Sequence, residues 1–481
     1  MFLGRKEELE TLQGLELKDS ASLVVCKGRR RIGKSALISE FGKNRPEFVS
    51  ISALPPTEKT THQTQLDAFS HQLTTEFGLS ANFQFHDWLD AFETLAQNCK
   101  QGKYTVLLDE ISWMGSRDPE FLGKLKTIWD KALSKNPKLI LVLCGSVSSW
   151  IDKNILSSTG FLGRISLEIS LQELPLVDCN GFWGKRKSRV SSYEKLKILS
   201  VTGGVPKYLE EVQPTWTAEK NIYHLCFKQE GILFHEFERI FSDLFDRRAP
   251  LYKEIMICLS EGPKEADAIF RSLKKQKSGV LIGYLEDLVS AGFLCRDYAW
   301  KFDGKPTKFS RFRLSDNYVR FYLKYIIPNK NRILAGSVSE NVASVLPQWE
   351  SVCGLQFENL VLKNRREIRR FLEISTNEFV QDGPYFQKKT TKTKGCQIDL
   401  LIQCKYNTLY VCEIKFSKNS MGAEVISEVE KKISSLAIPK NFSVRPVLIY
   451  EGELAPVVLE SQYFDKIVKF SELLGETGGI K

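Results

Sequence analysis

Histidine is scarce in this chain, with five among 481 residues, and none of the eleven cysteines stands in a CxxC pair. Zinc sites draw on closely spaced Cys and His, so this scarcity argues against a zinc protein. The scattered cysteines also argue against a disulfide framework and favour reduced thiols in the cytoplasm. Long apolar runs are missing too. The richest stretch, LILVLCGSVSSWI, is too short and too polar for a bilayer, which takes about 18 or more apolar residues. The opening MFLGRKEELE is charged by its fifth residue and has no apolar core, so neither a secretory leader nor a membrane partner is expected. What is present is ordinary for a globular chain: 42% hydrophobic and 26% charged residues. The length exceeds a single typical core, so two or three domains are expected. The net charge of +10 permits a polyanionic partner without requiring one.

The stretch SLVVCKGRRRIGKSALISEF reads as a strand, a glycine-rich turn and a helix. Within it GRRRIGKS fits the phosphate-binding pattern G-x-x-x-x-G-K-S. Gly28 and Gly33 let the backbone through Arg29, Arg30, Arg31 and Ile32 wrap a phosphate with its N–H groups inward, and Ala36 lies in the helix's first turn. Lys34 is placed to reach the β and γ phosphates of ATP, and Ser35 to ligate Mg²⁺. A second strand, in YTVLLDEISWM, ends in Asp109 and Glu110. The first carboxylate suits Mg²⁺, and the second suits polarisation of an attacking water. A third strand, in KLILVLCGS, ends in Ser146, which either senses the γ-phosphate or caps the next helix.

FLGRKEELETL, GRRRIGKS, LLDE, LCGSVSSW, FLGR and TGGVPKYL follow one another in that order. This succession resembles the archaeal-type ATPases of the STAND group within the AAA+ superfamily, over roughly residues 1–330. The resemblance implies an α/β fold with a parallel P-loop sheet whose sensor strand lies between the P-loop and acidic strands. It also implies that Arg5 lies near the adenine, that Pro206 follows a helical lid near the nucleotide, and that Arg164 is a candidate finger reaching the γ-phosphate of a second copy. That last role needs an oligomer, and the alternative for Arg164 is a surface arginine. The expected division is a P-loop ATPase domain over 1–175, a helical lid over 176–245, a winged helix with its connector over 246–330, and a last domain over 345–481.

In the middle region, helical spacing of apolar residues breaks at Gly262-Pro263 and near Ser278-Gly279, and two alternating stretches then flank a turn at Asp303-Gly304. Helices followed by a hairpin give a winged-helix order. Lys301, Lys305, Lys308, Arg311 and Arg313 make the wing basic, so it either contacts DNA phosphates or packs as a switch element with a solvated basic hairpin.

The last region opens with an amphipathic stretch, SVCGLQFENLVLKNRREIRRFL, whose Phe357, Leu360, Val361, Ile368 and Phe371 share a face of one helix. The hairpin QIDLLIQCKYNTLYVCEIKF follows it. A turn near Tyr406 sets Leu401 across from Val411, and the same register sets Asp399 across from Glu413. Two opposed carboxylates call for a cation, and hard oxygen ligands suit Mg²⁺ or Mn²⁺. Lys415 stands two residues along to orient a metal-activated water. Asp, a spacer and Glu-x-Lys resemble the PD-(D/E)xK nucleases of restriction-endonuclease-like fold. That resemblance implies that Glu358, in QFENL, is the acidic residue of the first core helix and joins Asp399 and Glu413 as metal ligands. The pattern recurs in this chain, at Glu16-Lys18 and Glu430-Lys432, so strand context separates this copy from the others. The alternative is a structural ion pair on a half-exposed hairpin. The expected whole is an ATP-hydrolysing switch with a DNA-directed nuclease-like domain, or a nucleotide-gated regulatory protein whose last domain is inert.

Overall fold

The computed structural model describes residues 2–79, 84–245, 249–276, 278–303, 306–391 and 393–476. The chain divides into two compact units, Met1–Gln172 and Glu173–Lys481.

In the first unit, β1 (Ser22–Lys27), β2 (Glu47–Ser52), β3 (Tyr104–Asp109), β4 (Ile140–Gly145) and β5 (Ile165–Ser170) form one sheet in the order β2-β3-β4-β1-β5. All of its pairings are parallel. The central strands SLVVCK, YTVLLD and ILVLCG are nearly continuous apolar runs, as strands covered on both faces must be. One face packs Leu23, Val25, Val106, Leu108, Leu141 and Leu143 against a helical layer that includes Trp88, Phe92, Phe121 and Trp129. The order sets β4, which ends before Ser146, between β1 and β3. The functional ends of all three strands therefore lie side by side. Two helices matter here: α1 (Lys6–Gly14) at the start and α2 (Lys34–Gly42) after the glycine turn.

The second unit opens with helices, among them α3 (Ser192–Thr202). Later helices include α4 (Ala249–Leu259), α5 (Ala266–Ser272) and α6 (Gly279–Ser290), after which comes an antiparallel hairpin of β6 (Leu294–Trp300) and β7 (Pro306–Leu314). Gly304 and Lys305, expected at the hairpin tip, lie outside the described residues. A connecting helix α7 (Asn317–Phe321) leads towards α8 (Trp349–Lys363) and α9 (Arg365–Phe371). The single amphipathic helix expected here is thus two. The break falls at Asn364, whose side chain accepts the Leu176 N–H (2.9 Å) and donates to the Leu360 carbonyl (2.7 Å). An Asn that bonds its own backbone competes with helix propagation.

The last sheet holds β8 (Phe379–Gln387), β9 (Cys396–Cys404), β10 (Thr408–Phe416), β11 (Ser443–Glu451) and β12 (Lys466–Lys469), in the order β12-β11-β10-β9-β8. It is mixed: β8, β9 and β10 pair antiparallel, and β10, β11 and β12 pair parallel. The parallel step from β10 to β11 uses the crossover helix α10 (Glu424–Ser435), as a parallel connection requires. Among the described residues, no helix is long and apolar enough to cross a membrane. All eleven cysteines are free.

Candidate functional site

The glycine turn begins where β1 ends. A Cβ on Gly28 would lie 2.6 Å from the Leu171 carbonyl oxygen, so only glycine fits there. Arg31 and Gly33 take left-handed backbone (φ 70° and 90°), which curls the loop onto the start of α2. The first bond of that helix runs from the Leu37 N–H to the Gly33 carbonyl (2.9 Å). The N–H groups of Lys34, Ser35 and Ala36 are therefore not used by the helix itself, the arrangement that receives an anion. The buried Lys34 ammonium donates to the carbonyls of Gly28 (3.0 Å) and Arg29 (3.1 Å), lying across the mouth of the loop. Ile32 is fully buried beneath the loop, and the Arg30 guanidinium sits 5.7 Å from the Trp113 ring. Arg5 is buried and donates to the Ile32 and Gln172 carbonyls and to Glu8, so it braces the loop from the amino-terminal segment.

The two carboxylates at the end of β3 separate by role. The Ser35 hydroxyl donates to Asp109 Oδ2 at 2.6 Å, so the two groups expected to share one Mg²⁺ touch. Glu110 takes left-handed backbone (φ 52°), and its Oε2 accepts from the Ser146 hydroxyl (2.8 Å) and N–H (3.1 Å). Ser146 therefore contacts the other carboxylate, and its hydroxyl is engaged by Glu110 instead of serving as a helix cap. Arg164 makes a two-pronged pair with Asp130, Nε to Oδ1 at 2.7 Å and Nη2 to Oδ2 at 2.9 Å. In the second unit, Pro206 starts the helix Pro206–Leu209. Ahead of it, Gly204 is packed so closely that a Cβ would lie 2.5 Å from the Leu174 carbonyl oxygen.

In the last sheet the hairpin register is the expected one, with Val411 opposite Leu401 and Cys412 opposite Leu400. The ladder stops there, one step short of Asp399 and Glu413. The cause is a bulge. Against β8, Leu401 pairs with Gly383 but Ile398 pairs with Tyr385, so Asp399 and Leu400 together oppose a single residue. Ile398 and Leu401 consequently join one apolar cluster, with Val411 and Leu409, although strict alternation sets them on opposite faces. Asp399, freed from the ladder, accepts the Ile414 N–H at 3.0 Å.

The cation between the carboxylates is Lys432 of α10. Its ammonium bonds Glu413 Oε2 and lies 3.6 Å from Asp399 Oδ1. Lys415 lies 3.7 Å from Glu413 but 2.6 Å from Glu428, one turn before Lys432 on the same helix. Glu413 is buried; burial and the Asp399 charge raise its pKa, against the pull of Lys432. Burial opposes the charge on Lys432, but Asp399 and Glu413 outweigh it and hold the ammonium above its ordinary range. Glu358 on α8 is raised to about 7 by burial and then by Asp399, with Arg313 and Arg320 acting in the opposite direction. Among the described residues no three His, Cys, Asp or Glu side chains gather as a metal would need, so Glu358 does not complete a three-carboxylate cluster with Asp399 and Glu413.

The basic residues of the β6–β7 hairpin do not all face solvent. Arg313 is buried, bonded to Asp297 through Nε (2.9 Å) and Nη2 (3.3 Å) and to Asn359 on α8, so it is closed to a phosphate. Packing of the hairpin on the last sheet closes it in. Arg311 donates to Gln397 (3.1 Å) and stacks on Phe386, and Trp300 and Phe302 both contact the Tyr385 ring. Lys301 and Lys308 are exposed.

A strand-end carboxylate pair beside a phosphate loop, with the third strand between them, defines a P-loop ATPase domain. Residues 2–212 match the family described as "ATPase domain predominantly from Archaea", and residues 322–431 match one described as "Archaea bacterial proteins of unknown function". The chain thus carries an archaeal-type ATPase domain followed by a domain of the second family. An uncharacterised protein of Methanocaldococcus jannaschii is 24% identical over 83% of this chain and 84% of its own length. A short uncharacterised ATP-binding protein of the same organism is 47% identical over 9% of this chain and 76% of its own length. Among solved structures, a Walker-type ATPase of Pyrococcus abyssi shares 18% identity over 67% of this chain and 96% of that one, with a TM-score of 0.49.

Proposed function

We propose that the chain is an ATP-hydrolysing switch that controls a metal-dependent, DNA-directed nuclease domain. The observation that carries the ATPase part is the contact of Ser35 with Asp109 at the start of a helix whose first N–H groups, of Lys34, Ser35 and Ala36, are not used by the helix itself. In this reading the loop from Gly28 to Gly33 cradles the phosphates. Lys34 exchanges its two carbonyl partners for the β and γ phosphates, and Ser35 and Asp109 hold Mg²⁺. Glu110, released from Ser146, orients the attacking water. Arg5 lies beside the base, and Arg164 acts across an oligomer if it leaves Asp130. ATP favours one arrangement of the chain and its hydrolysis another. The test is ATP turnover with Mg²⁺. Loss of turnover in Lys34→Ala, with the fold intact, supports the reading, and undiminished turnover overturns it.

The nuclease part rests on a separate observation: Asp399 and Glu413 converge on one cation position. Mg²⁺ is commonly held by one or two carboxylates plus waters and substrate phosphate, so the donor set fits without Glu358. Bound there, such an ion supplies an activated water and polarises a phosphodiester. Lys415 would steady the nucleophile, while Glu358 on α8 feels the charge of Asp399. The three helices and hairpin over 249–314 support a winged-helix reading, with Lys301 and Lys308 the residues left to meet DNA. The test is cleavage of linear, branched and single-stranded DNA with Mg²⁺ or Mn²⁺, with and without ATP. Metal-dependent cleavage lost in Glu413→Ala supports it. DNA binding without cleavage under every condition favours the alternative, a nucleotide-gated binding protein with an inert last domain.

A further inference from the structure

Five charged side chains on β9, β10 and α10 form an alternating row: Glu428, Lys415, Glu413, Lys432 and Asp399. The two lysines serve different partners. Lys415, the lysine of the strand pattern, is drawn to Glu428 at 2.6 Å and stands off Glu413 at 3.7 Å. Lys432 alone is shared by both carboxylates of the candidate metal site. Its backbone is fixed by the packing of α10, because Val425 and Val429 are buried against Leu448 and Ile433 packs beside Leu401 and Val411. The ammonium cannot leave by movement of the helix without unpacking that core, but four side-chain torsions let it swing out alone.

We propose that Lys432 is the built-in counterion of this site, a monovalent plug that a divalent metal must displace, and that Glu428 holds Lys415 aside while it does so. This deepens the metal-site reading above and rests on it. Two carboxylates brought together in a half-buried site repel unless a cation lies between them. Lys432 supplies that cation in the metal-free protein and so keeps Glu413 and Asp399 close together. A divalent ion binds the same two oxygens more strongly but has to compete with a covalently tethered charge. Lys432 therefore sets the metal concentration at which the site fills. Once displaced, its ammonium stays within reach of the metal and is free for a phosphate oxygen of a polyanionic substrate.

The experiment is Mn²⁺ binding by the nucleotide-free full chain, followed by calorimetry and by the electron paramagnetic resonance of free Mn²⁺. Asp109→Ala is included throughout so that the P-loop domain contributes no signal. Lys432→Met is expected to bind Mn²⁺ about ten-fold more tightly, the size of effect that groups contacting metal ligands commonly have. Lys432→Arg keeps the charge and is expected to bind no more tightly than the parent. If Lys432→Met fails to fold in the absence of metal, Lys432→Gln keeps a donor to Glu413 without the charge and takes its place, with the same expectation. Equal Mn²⁺ affinity in the parent and the uncharged variant, with Glu413→Gln abolishing binding, overturns the plug and leaves the metal site standing. Mn²⁺ binding that Glu413→Gln does not weaken overturns the metal-site reading itself, and the plug with it.

Discussion

Glu110 is held in left-handed backbone by its place at a strand end, and both bonds to its carboxylate come from Ser146, just past the end of the adjacent strand. A carboxylate positioned this way can act as base only when Ser146 releases it, so removing either partner has separable effects. Glu110→Gln is expected to retain ATP, because no phosphate or Mg²⁺ ligand is lost, while turnover falls by about 10²–10⁴-fold, the usual contribution of a general base. Equilibrium ATP binding measured beside single-turnover hydrolysis checks this. A few residues away the same reasoning gives a small effect. Arg164 and Lys126 depress the Asp130 carboxyl to about 2. A depressed carboxylate contributes stability that is complete above its unfolded value, near 3.8, and is lost as pH falls through about 2. The pair lies at the surface, where solvent and salt screen it, so Arg164→Ala is expected to cost little stability near neutral pH and to lessen that acid-limb dependence, leaving the part due to Lys126. Urea midpoints between pH 2 and pH 6 measure it. Arg164→Ala is also expected to leave turnover unchanged at low protein concentration. A loss that grows with protein concentration assigns it the role across subunits.

Among the elements, strands were more legible than the contacts between them. The glycine loop, the acidic strand end and the hairpin register as far as Leu400 are local patterns of backbone geometry and alternation, and each stands in the structure where the residues put it; the expected pairing of Asp399 with Glu413 does not. Lys432 was hidden because it arrives from a helix after the hairpin. Its own Glu430-x-Lys432 looked like a chance repeat of the very motif whose site it enters. The only signal was its helical spacing: seven residues after Val425 and three after Val429, it stands beside the apolar stripe those residues bury, one turn after Glu428. The bulge at Asp399 and Leu400 was hidden for another reason: it is set by pairing with β8, not by anything within the hairpin. Arg313 misled because a charge in an alternating hairpin reads as solvent-facing, and only Asn359, about one domain later, shows that it is enclosed. These two kinds of wing residue should now part company. Arg313→Ala leaves the half-buried Asp297 carboxylate and the buried Asn359 amide without their partner and is expected to cost about 3 kcal/mol, the lower end for breaking an enclosed pair. Lys301→Ala with Lys308→Ala is expected to leave thermal stability unchanged and to weaken DNA binding, with a shallower dependence on salt. Thermal melts and DNA titrations at two salt concentrations separate the outcomes.

Across the whole molecule, a buried polar network makes the second unit a single cooperative body. Gln356 on α8 is fully buried; its amide donates to the carbonyls of Ser200 on α3 (2.9 Å) and Asn317 on α7 (2.8 Å), and its Oε1 accepts from Arg320. Arg320 also reaches the carbonyls of Ser260, just after α4 (3.2 Å), and Leu314, at the end of β7 (2.7 Å). Asn359 donates to the same Leu314 carbonyl at 2.9 Å. The early helices, the helix-and-hairpin region, the connector and the last domain thus share one set of satisfied donors and acceptors, and none can leave without orphaning the others' buried groups. Four sequence regions are therefore expected to give two melting transitions, one for Met1–Gln172 and one for Glu173–Lys481. Gln356→Ala is expected to lower only the second, by about 1–3 kcal/mol for each buried group left unpaired. On the proposed function ATP binds through the loop of the first unit, so Mg²⁺ and ATP at about 100 times Kd are expected to stabilise that unit by about 2.7 kcal/mol. For a unit of this size the shift is about 5–10 °C. Differential scanning calorimetry with and without ATP reads both shifts in one experiment. A third transition, or a fall of the first in Gln356→Ala, breaks the assignment of the network to a single cooperative body. If ATP raises both transitions, the nucleotide is felt beyond the unit that binds it. The wild-type rise of the second, set against the same rise in Gln356→Ala, then measures how much of that coupling runs through the buried network.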